Sequence, residues 1–316
     1  MPGKTVLITG GTGLLGKTLL EMAPAGLRVF ATWHRRPPPV PWQDRFLPLH
    51  LHESESVREL FENCRPDAVI HTASIGEVDE AERSPEHVRE VNVGGTEAIL
   101  TACRQRNAEL IFISSNAVFD GTQPPYAEGA PLRAVNRYGR IKIEAEQRVG
   151  ASGLAHLIVR PILLYGWPLE GGRDNAVTRW LKTLQRGEPV RVAEEIVTQP
   201  LWVGDCARAV WKALLQRTRG LLHVGGADRV TMPQFAGEVC RLFGLEERLL
   251  QPVSGSALSN LAPRPRDTSF DLTRLHQELG IEPLGIREGL TRMRQQRPAA
   301  PHGTTGVSSA VGVRGA

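Results

Sequence analysis

The 316-residue chain contains no apolar run approaching the roughly 20 residues that a membrane-spanning helix requires. A helical integral membrane protein is therefore excluded. The first strand-like segment begins at Lys4 and leaves no space ahead of it for a signal peptide, so a cytoplasmic protein is expected. Cysteine is scarce: Cys64, Cys103, Cys206 and Cys240 lie far apart and show no Cys-x-x-Cys spacing. They read as reduced thiols of the core or surface. No Lys/Arg-rich run is present and the net charge is only +4, which argues against a nucleic-acid partner and suits an anionic small molecule. Among nine scattered histidines, His50 and His52 alternate on one strand face, but no third ligand stands at suitable spacing, so no metal is expected. No internal repeat is visible. What remains, 41% hydrophobic and 23% charged, is ordinary for a globular protein.

The first half alternates strand-like and helix-like segments, the pattern of a parallel sheet covered by helices. Thr5-Val6-Leu7-Ile8 is a continuous apolar run, as a strand buried on both faces should be. Further strands are expected at Leu27–Thr32, Phe46–Leu51, Asp67–His71, Leu110–Ser114 and Leu157–Val159. Pro37, Pro38, Pro39 and Pro41 exclude regular structure between the second and third. Val57, Leu60, Phe61 and Cys64 mark an amphipathic helix. Other helices are expected over Pro85–Arg106, Val135–Val149, Val177–Gln185 and Asp205–Gln216, with a short strand at Leu221–Val224. Thr231 and Gln234 fit a capping box opening a helix that stops at Gly244. The expected fold class is α/β: a Rossmann-type doubly wound parallel sheet with a smaller, interleaved C-terminal substrate domain. The boundaries are placed at 1–165 for dinucleotide binding and 166–296 for substrate binding, with a disordered tail over 297–316.

The first strand runs straight into Gly10-Gly11-Thr12-Gly13-Leu14-Leu15-Gly16. Between a strand and a helix, this spacing describes a turn that cradles a pyrophosphate. Gly10 permits the tight bend, Gly13 lets backbone approach the ligand, and Gly16 lets helix and strand pack closely. Thr12, Leu14 and Leu15 complete the candidate cradle. After the second strand comes Thr32-Trp33-His34-Arg35-Arg36, with none of the acids that would accept from a ribose 2′-hydroxyl. The two arginines suit a 2′-phosphate, so NADP(H) is preferred and NAD remains possible, with His34, Arg35 and Arg36 as candidate contacts. The small residues Thr72-Ala73-Ser74 at the end of the fourth strand suit a backbone passing close beneath the cofactor.

Tyr138 and Lys142 stand four apart and so share a helix face, downstream of a strand ending at Ser114-Ser115. A phenol has a pKa of about 10. A nearby ammonium would lower it toward usefulness in proton transfer. Ser115 could hydrogen-bond the same substrate oxygen.

These motifs, with Val91-Asn92-Val93-Gly94-Gly95-Thr96, Ile113-Ser114-Ser115-Asn116-Ala117-Val118-Phe119-Asp120-Gly121 and Tyr138-Gly139-Arg140-Ile141-Lys142, resemble the extended short-chain dehydrogenase/reductases over roughly residues 4 to 295. Val78-Asp79-Glu80-Ala81-Glu82, Pro263-Arg264-Pro265, Phe270-Asp271 and Leu279-Gly280-Ile281 narrow the resemblance. It points to the dTDP-4-dehydrorhamnose reductase family, to which the regulatory β subunit of methionine adenosyltransferase is related. The resemblance implies catalytic roles for Ser115, Tyr138 and Lys142: Tyr138 protonates a carbonyl oxygen, Lys142 holds the nicotinamide ribose, and Ser115 orients the substrate. It places Asn92 and Arg160 at the cofactor, and Asn116 with Ser115 and Tyr138 at the substrate; Trp167 and Asn175, just after the sixth strand, are expected in a substrate loop. Arg160 and Arg173 could reach a diphosphate. Asn116-Ala117 replaces the Asp-Tyr pair of the family pattern, and the glutamine of a later family motif is replaced by Ile196. The resemblance implies an NADP(H)-dependent reductase acting on a nucleotide-linked deoxysugar, with a nucleotide-sugar 4-epimerase or a non-catalytic NADP-binding regulatory subunit as alternatives. A homodimer is implied on the same ground. The segment after Ser115 lacks an adjacent Asp-Glu pair, which disfavours a dehydratase.

Overall fold

The computed structural model describes residues 3–35, 37–38, 40–258 and 262–298. The tail expected to be disordered lies outside the described residues from 299 onward, and so does Arg36. Strands and helices in chain order are β1 (Thr5–Thr9), α1 (Leu14–Glu21), β2 (Arg28–Trp33), β3 (Phe46–Pro48), α2 (Ser54–Cys64), β4 (Ala68–His71), α3 (Val78–Arg83), α4 (Pro85–Arg89), α5 (Gly95–Arg106), β5 (Glu109–Ile113), α6 (Arg137–Gly150) and β6 (His156–Pro161). The second half adds β7 (Leu164–Tyr165), α7 (Ala176–Gln185), β8 (Val190–Ala193), β9 (Val197–Thr198), β10 (Leu201–Trp202), α8 (Val203–Gln216), β11 (Gly220–Val224), β12 (Val230–Thr231), α9 (Met232–Phe243), β13 (Leu250–Val253), α10 (Thr273–Leu279) and α11 (Ile286–Gln295).

Seven strands form one parallel sheet in the order β11-β6-β5-β4-β1-β2-β3. Its pleat explains why the strands read as continuous apolar runs. Val6 and Ile8 enter the core on the face covered by α1 and α8, while Leu7 between them enters the core built with α2, α5 and α6. The same alternation holds for Ile111 and Ile113 against Leu110 and Phe112. The edge strand β11 comes from the second half of the chain and pairs with β6 over five residues. Trp211 of α8 donates its indole N–H to the carbonyl of Leu19 on α1, at 3.0 Å. The two halves therefore interleave through one sheet.

Local chemistry sets the ends of several elements. Thr231 and Gln234 form the capping box of α9, and Gly244 ends that helix at φ +68. The structure differs from expectation in three places. β3 is only three residues long and ends at Pro48, which has no N–H to continue a ladder. The span from Pro41 to Arg45 lies in a 3-10 turn rather than irregular chain. The single helix expected over Pro85–Arg106 is divided: a π turn over Glu90–Gly94 separates α4 from α5.

Candidate active site

From β1 the chain turns outward to β2 and β3, and from β4 it builds the sheet in the opposite direction. The crevice at the carboxyl ends of β1 and β4 is thus the switch point where open α/β sheets bind ligands. Two loops face each other there. Gly10 adopts φ +73, and a Cβ on it would lie 2.9 Å from the Cα of Ala73. Only glycine combines that backbone with that approach. A Cβ on Gly16 would collide with the Gly10 carbonyl, so the first turn of α1 sits directly on the loop. Exposed Gly13 is the N-cap of α1 and offers no side-chain cap. Its own N–H is bonded to Gly10 at 2.9 Å. The amides of Leu14, Leu15 and Gly16 have no intrahelical acceptor and point, with the positive end of the helix dipole, at the crevice mouth. The donor set fits a pyrophosphate. Half-buried Thr12 stands on the same lip, and exposed His34 and Arg35 follow β2. The His34 ring meets His50 edge-on at 5.0 Å. Burial, then His50, holds the His34 pKa below the usual histidine value.

The facing loop is built from beneath. The Thr9 hydroxyl bonds His71 Nδ1 at 2.7 Å and accepts from the Ala73 amide at 3.2 Å. Thr72 returns its hydroxyl to the Thr9 carbonyl at 2.6 Å, and Ser74 is exposed at the tip. Asn92, inside the π turn, accepts from the Ile75 amide at 2.8 Å and donates to the Ile75 carbonyl at 3.0 Å. It is only 3% exposed. Its expected cofactor contact is corrected: Asn92 clamps the loop that would lie against a cofactor.

Ser115 follows the end of β5, and Tyr138 and Lys142 stand one turn apart on α6. The Asn136 side chain caps α6 by accepting from the Gly139 amide at 2.8 Å, which starts the helix one residue before Tyr138. A Cβ on Gly139 would strike the Ala117 carbonyl, so α6 docks against the turn that follows Ser115. Lys142 is 2% exposed; its ammonium donates to the Ile113 carbonyl at 2.9 Å and lies 4.8 Å from the Phe112 ring centroid. Burial pushes Lys142 down to about 8, while Glu146 opposes the shift. Tyr138 is 7% exposed. Burial raises its pKa; Arg173 and a hydrogen bond with Ser115 pull it back, and Glu77 adds to the rise. The net lowering expected of the phenol is therefore corrected: burial sets the direction, and Lys142 is not among the groups that oppose it. The phenol keeps its proton at neutral pH.

Several candidates are occupied elsewhere. Arg160 is 1% exposed and grips Glu146 through two bonds of 2.9 and 2.6 Å, with a further bond of 3.2 Å to the Glu128 carbonyl. The assignment of Arg160 to a cofactor or diphosphate is corrected: it is the counter-ion of a buried carboxylate that also accepts from Ser114. Asn175 caps α7 and donates to the Gly166 carbonyl at 2.7 Å. Trp167 donates to the Met293 carbonyl at 2.6 Å. Both hold the second half together, so their polar groups are not turned to a substrate. Asn116 donates to the Thr268 hydroxyl at 2.6 Å, beside Ser115.

Reading the sequence missed the residues that strap the 262–270 segment over this site. Asn136 donates to the Pro263 carbonyl at 3.0 Å, and Arg264 pairs with Asp79 at 2.9 Å. Gln199 exchanges two hydrogen bonds with the Phe270 backbone. Asn136 carried a signal as an N-cap residue type at the start of the helix expected over Val135–Val149, and Asp79 and Arg264 lay in quoted motifs whose pairing the sequence did not reveal. Among the described residues no group of acidic, histidine and cysteine side chains could hold a metal, and no helix is long and apolar enough to cross a membrane.

This parallel sheet, with a glycine turn at its switch point and a Ser/Tyr/Lys cluster beside it, defines the class of dinucleotide-binding α/β proteins. The sequence profile of the RmlD substrate binding domain family matches residues 4–298, and the chain belongs to that family. It is 30% identical over 302 residues to methionine adenosyltransferase 2 subunit beta of Rattus norvegicus, covering 92% of this chain and 88% of that one. It is also 30% identical over 299 residues to dTDP-4-keto-6-deoxy-D-glucose reductase of Streptomyces niveus, covering 92% and 96%. The dTDP-4-dehydrorhamnose reductase of Bacillus anthracis, crystallised with NADP, superposes with a TM-score of 0.82 at 25% identity, covering 94% of this chain and all of that one.

Proposed function

We propose that the protein is an NADP(H)-dependent oxidoreductase of the short-chain dehydrogenase/reductase type that reduces the keto group of a nucleotide-linked deoxysugar. The observation that carries this reading is the burial of Tyr138, whose phenol is hydrogen-bonded with Ser115, and of Lys142 one helical turn further on, whose ammonium donates to the Ile113 carbonyl at the end of β5. The similarity to two dTDP-sugar reductases supports the substrate class. NADP in the Bacillus anthracis structure, and exposed Arg35 after β2 here, support the cofactor.

A bound nicotinamide dinucleotide supplies the hydride. The chain does the rest. The α1 amides receive the pyrophosphate, and Arg35 receives the 2′-phosphate. Ser115 donates to the substrate carbonyl oxygen and fixes it beside the phenol. Tyr138 gives that oxygen its proton as the carbonyl carbon is reduced. Lys142, held by Ile113, keeps a positive charge under the site and stabilises the phenolate left behind. Self-association into a homodimer, implied by the resemblance, belongs to the same proposal and is read by sedimentation.

The test is anaerobic incubation with dTDP-4-dehydrorhamnose and NADPH. One NADPH consumed per sugar reduced is expected; turnover of the sugar without net NADPH consumption would favour an epimerase. The similarity to methionine adenosyltransferase 2 subunit beta favours a second reading, a regulatory subunit that keeps the cofactor fold. It predicts no ketone reduction, together with a change in the activity of a partner enzyme that survives Tyr138→Phe.

A further inference from the structure

Tyr138, Lys142 and Glu146 follow one another at four-residue spacing along α6 and so form one stripe of the helix. All three are buried. Each engages one of three consecutive residues at the end of β5. Tyr138 is hydrogen-bonded with Ser115, the Lys142 ammonium donates to the Ile113 carbonyl at 2.9 Å, and Glu146 accepts from the Ser114 hydroxyl. Arg160 on β6 grips the Glu146 carboxylate and also meets His223 of β11 at 3.2 Å. One carboxylate thus serves two cations, Arg160 in direct contact and Lys142 one turn along the helix.

Stability alone does not account for the arrangement. Apolar side chains of similar volume commonly match or exceed a buried ion pair in stability. They could not supply negative charge one helical turn from Lys142. The surroundings of that lysine are otherwise neutral. Its ammonium is bonded to a carbonyl and lies 4.8 Å from the Phe112 ring centroid. Tyr138 keeps its proton, and burial pushes His71 of β4 down to about 3, so that imidazole is uncharged. Burial works against the charge on Lys142, and Glu146 is the group that works for it.

We propose that Glu146 is a positioning residue for the reduction: it fixes the end of β5 through Ser114 and supplies the negative charge that keeps Lys142 an ammonium one turn from Tyr138. This rests on the reductase reading above. Arg160 fixes where the carboxylate lies. Glu146 acts through Lys142, and its effect is greatest above neutral pH, where the lysine would otherwise lose its proton.

The chain has five lysines, Lys4, Lys17, Lys142, Lys182 and Lys212, and Lys142 is the buried one. NMR titration of protein carrying 13C-labelled lysine side chains therefore reads its protonation without turnover, with Lys142→Met to assign the signal. Glu146→Gln should lower the Lys142 midpoint by about one pH unit and leave the other four unmoved. In turnover of the keto sugar, its deficit in kcat against wild type should widen about fivefold between about pH 6.5 and pH 8.5. A purely structural loss would slow the reaction equally across that range. Arg160→Met with Glu146→Leu removes both charges and decides the point if the single variant does not fold. Its Lys142 midpoint should still lie at least about half a unit below wild type. A Lys142 midpoint that stays at the wild-type value in these variants, or a deficit in kcat that does not change with pH, would overturn the inference and leave the reductase reading standing. A wild type that reduces no keto sugar would overturn that reading, and the positioning role with it.

Discussion

Replacing Arg160 with Met separates a structural arginine from a ligand-binding one. The side chain is 1% exposed and supplies two of the bonds that neutralise Glu146, itself 5% exposed. Methionine fills similar volume but leaves Glu146 with Ser114 as its remaining hydrogen-bond donor. Breaking a buried pair from one side costs about 3–5 kcal/mol, because a charge is left in a medium of low polarity. For a domain of this size that corresponds to a fall in Tm of roughly 5–15 °C. Removing both charges together, as in Arg160→Met with Glu146→Leu, should recover most of the loss, since no unpaired ion remains. Differential scanning calorimetry of the two single variants and the double variant closes the cycle. The affinity for NADPH, measured by fluorescence titration at a temperature where all remain folded, should change less than twofold. An Arg160→Met protein with wild-type Tm and weakened NADPH binding would refute the reasoning and return Arg160 to the cofactor.

Other consequences follow from the same geometry. The rate of ketone reduction should fall as pH rises through about 8, where burial places the Lys142 titration. Below that value the ammonium is present, and above it the positive charge under Tyr138 is lost; a pH–rate profile flat to pH 10 would contradict this. Asn136→Ala removes the α6 cap and the tie to Pro263, so stability should drop by about 0.5–2 kcal/mol in urea unfolding, with reduced turnover. Arg35→Gln should weaken NADPH several-fold more than NADH in parallel binding titrations, because only the first carries a 2′-phosphate.

The fold was legible because its strands are apolar on both faces and its turns carry glycine. The run from Thr5 to Ile8 could only be a doubly covered strand, and Gly10 and Gly16 meet backbone where any Cβ would collide. The placing of Tyr138 beside Lys142 was legible for an equally local reason, since four residues on a helix share a face. Contacts between segments distant in sequence were not legible. Arg160 follows the strand expected at Leu157–Val159 as a ligand-binding arginine might, and only the position of Glu146 on α6 shows where its charge goes. Asn92 and Asn175 have the right residue type for ligand contact, yet their amides serve backbone at Ile75 and Gly166. The pKa of Tyr138 escaped for another reason. Residue spacing gives neighbours but not burial, and burial decides its direction. The strap over 262–270 depends on partners 71 to 185 residues apart, a range at which sequence pattern carries no signal.

The most direct measurement is single-turnover reduction of dTDP-4-dehydrorhamnose by NADPH-loaded wild type and Tyr138→Phe. Loss of the proton donor should slow the chemical step by about 10²–10⁴-fold while NADPH affinity and Tm stay near wild type. A Tyr138→Phe protein that reduces the sugar at the wild-type rate would contradict the account.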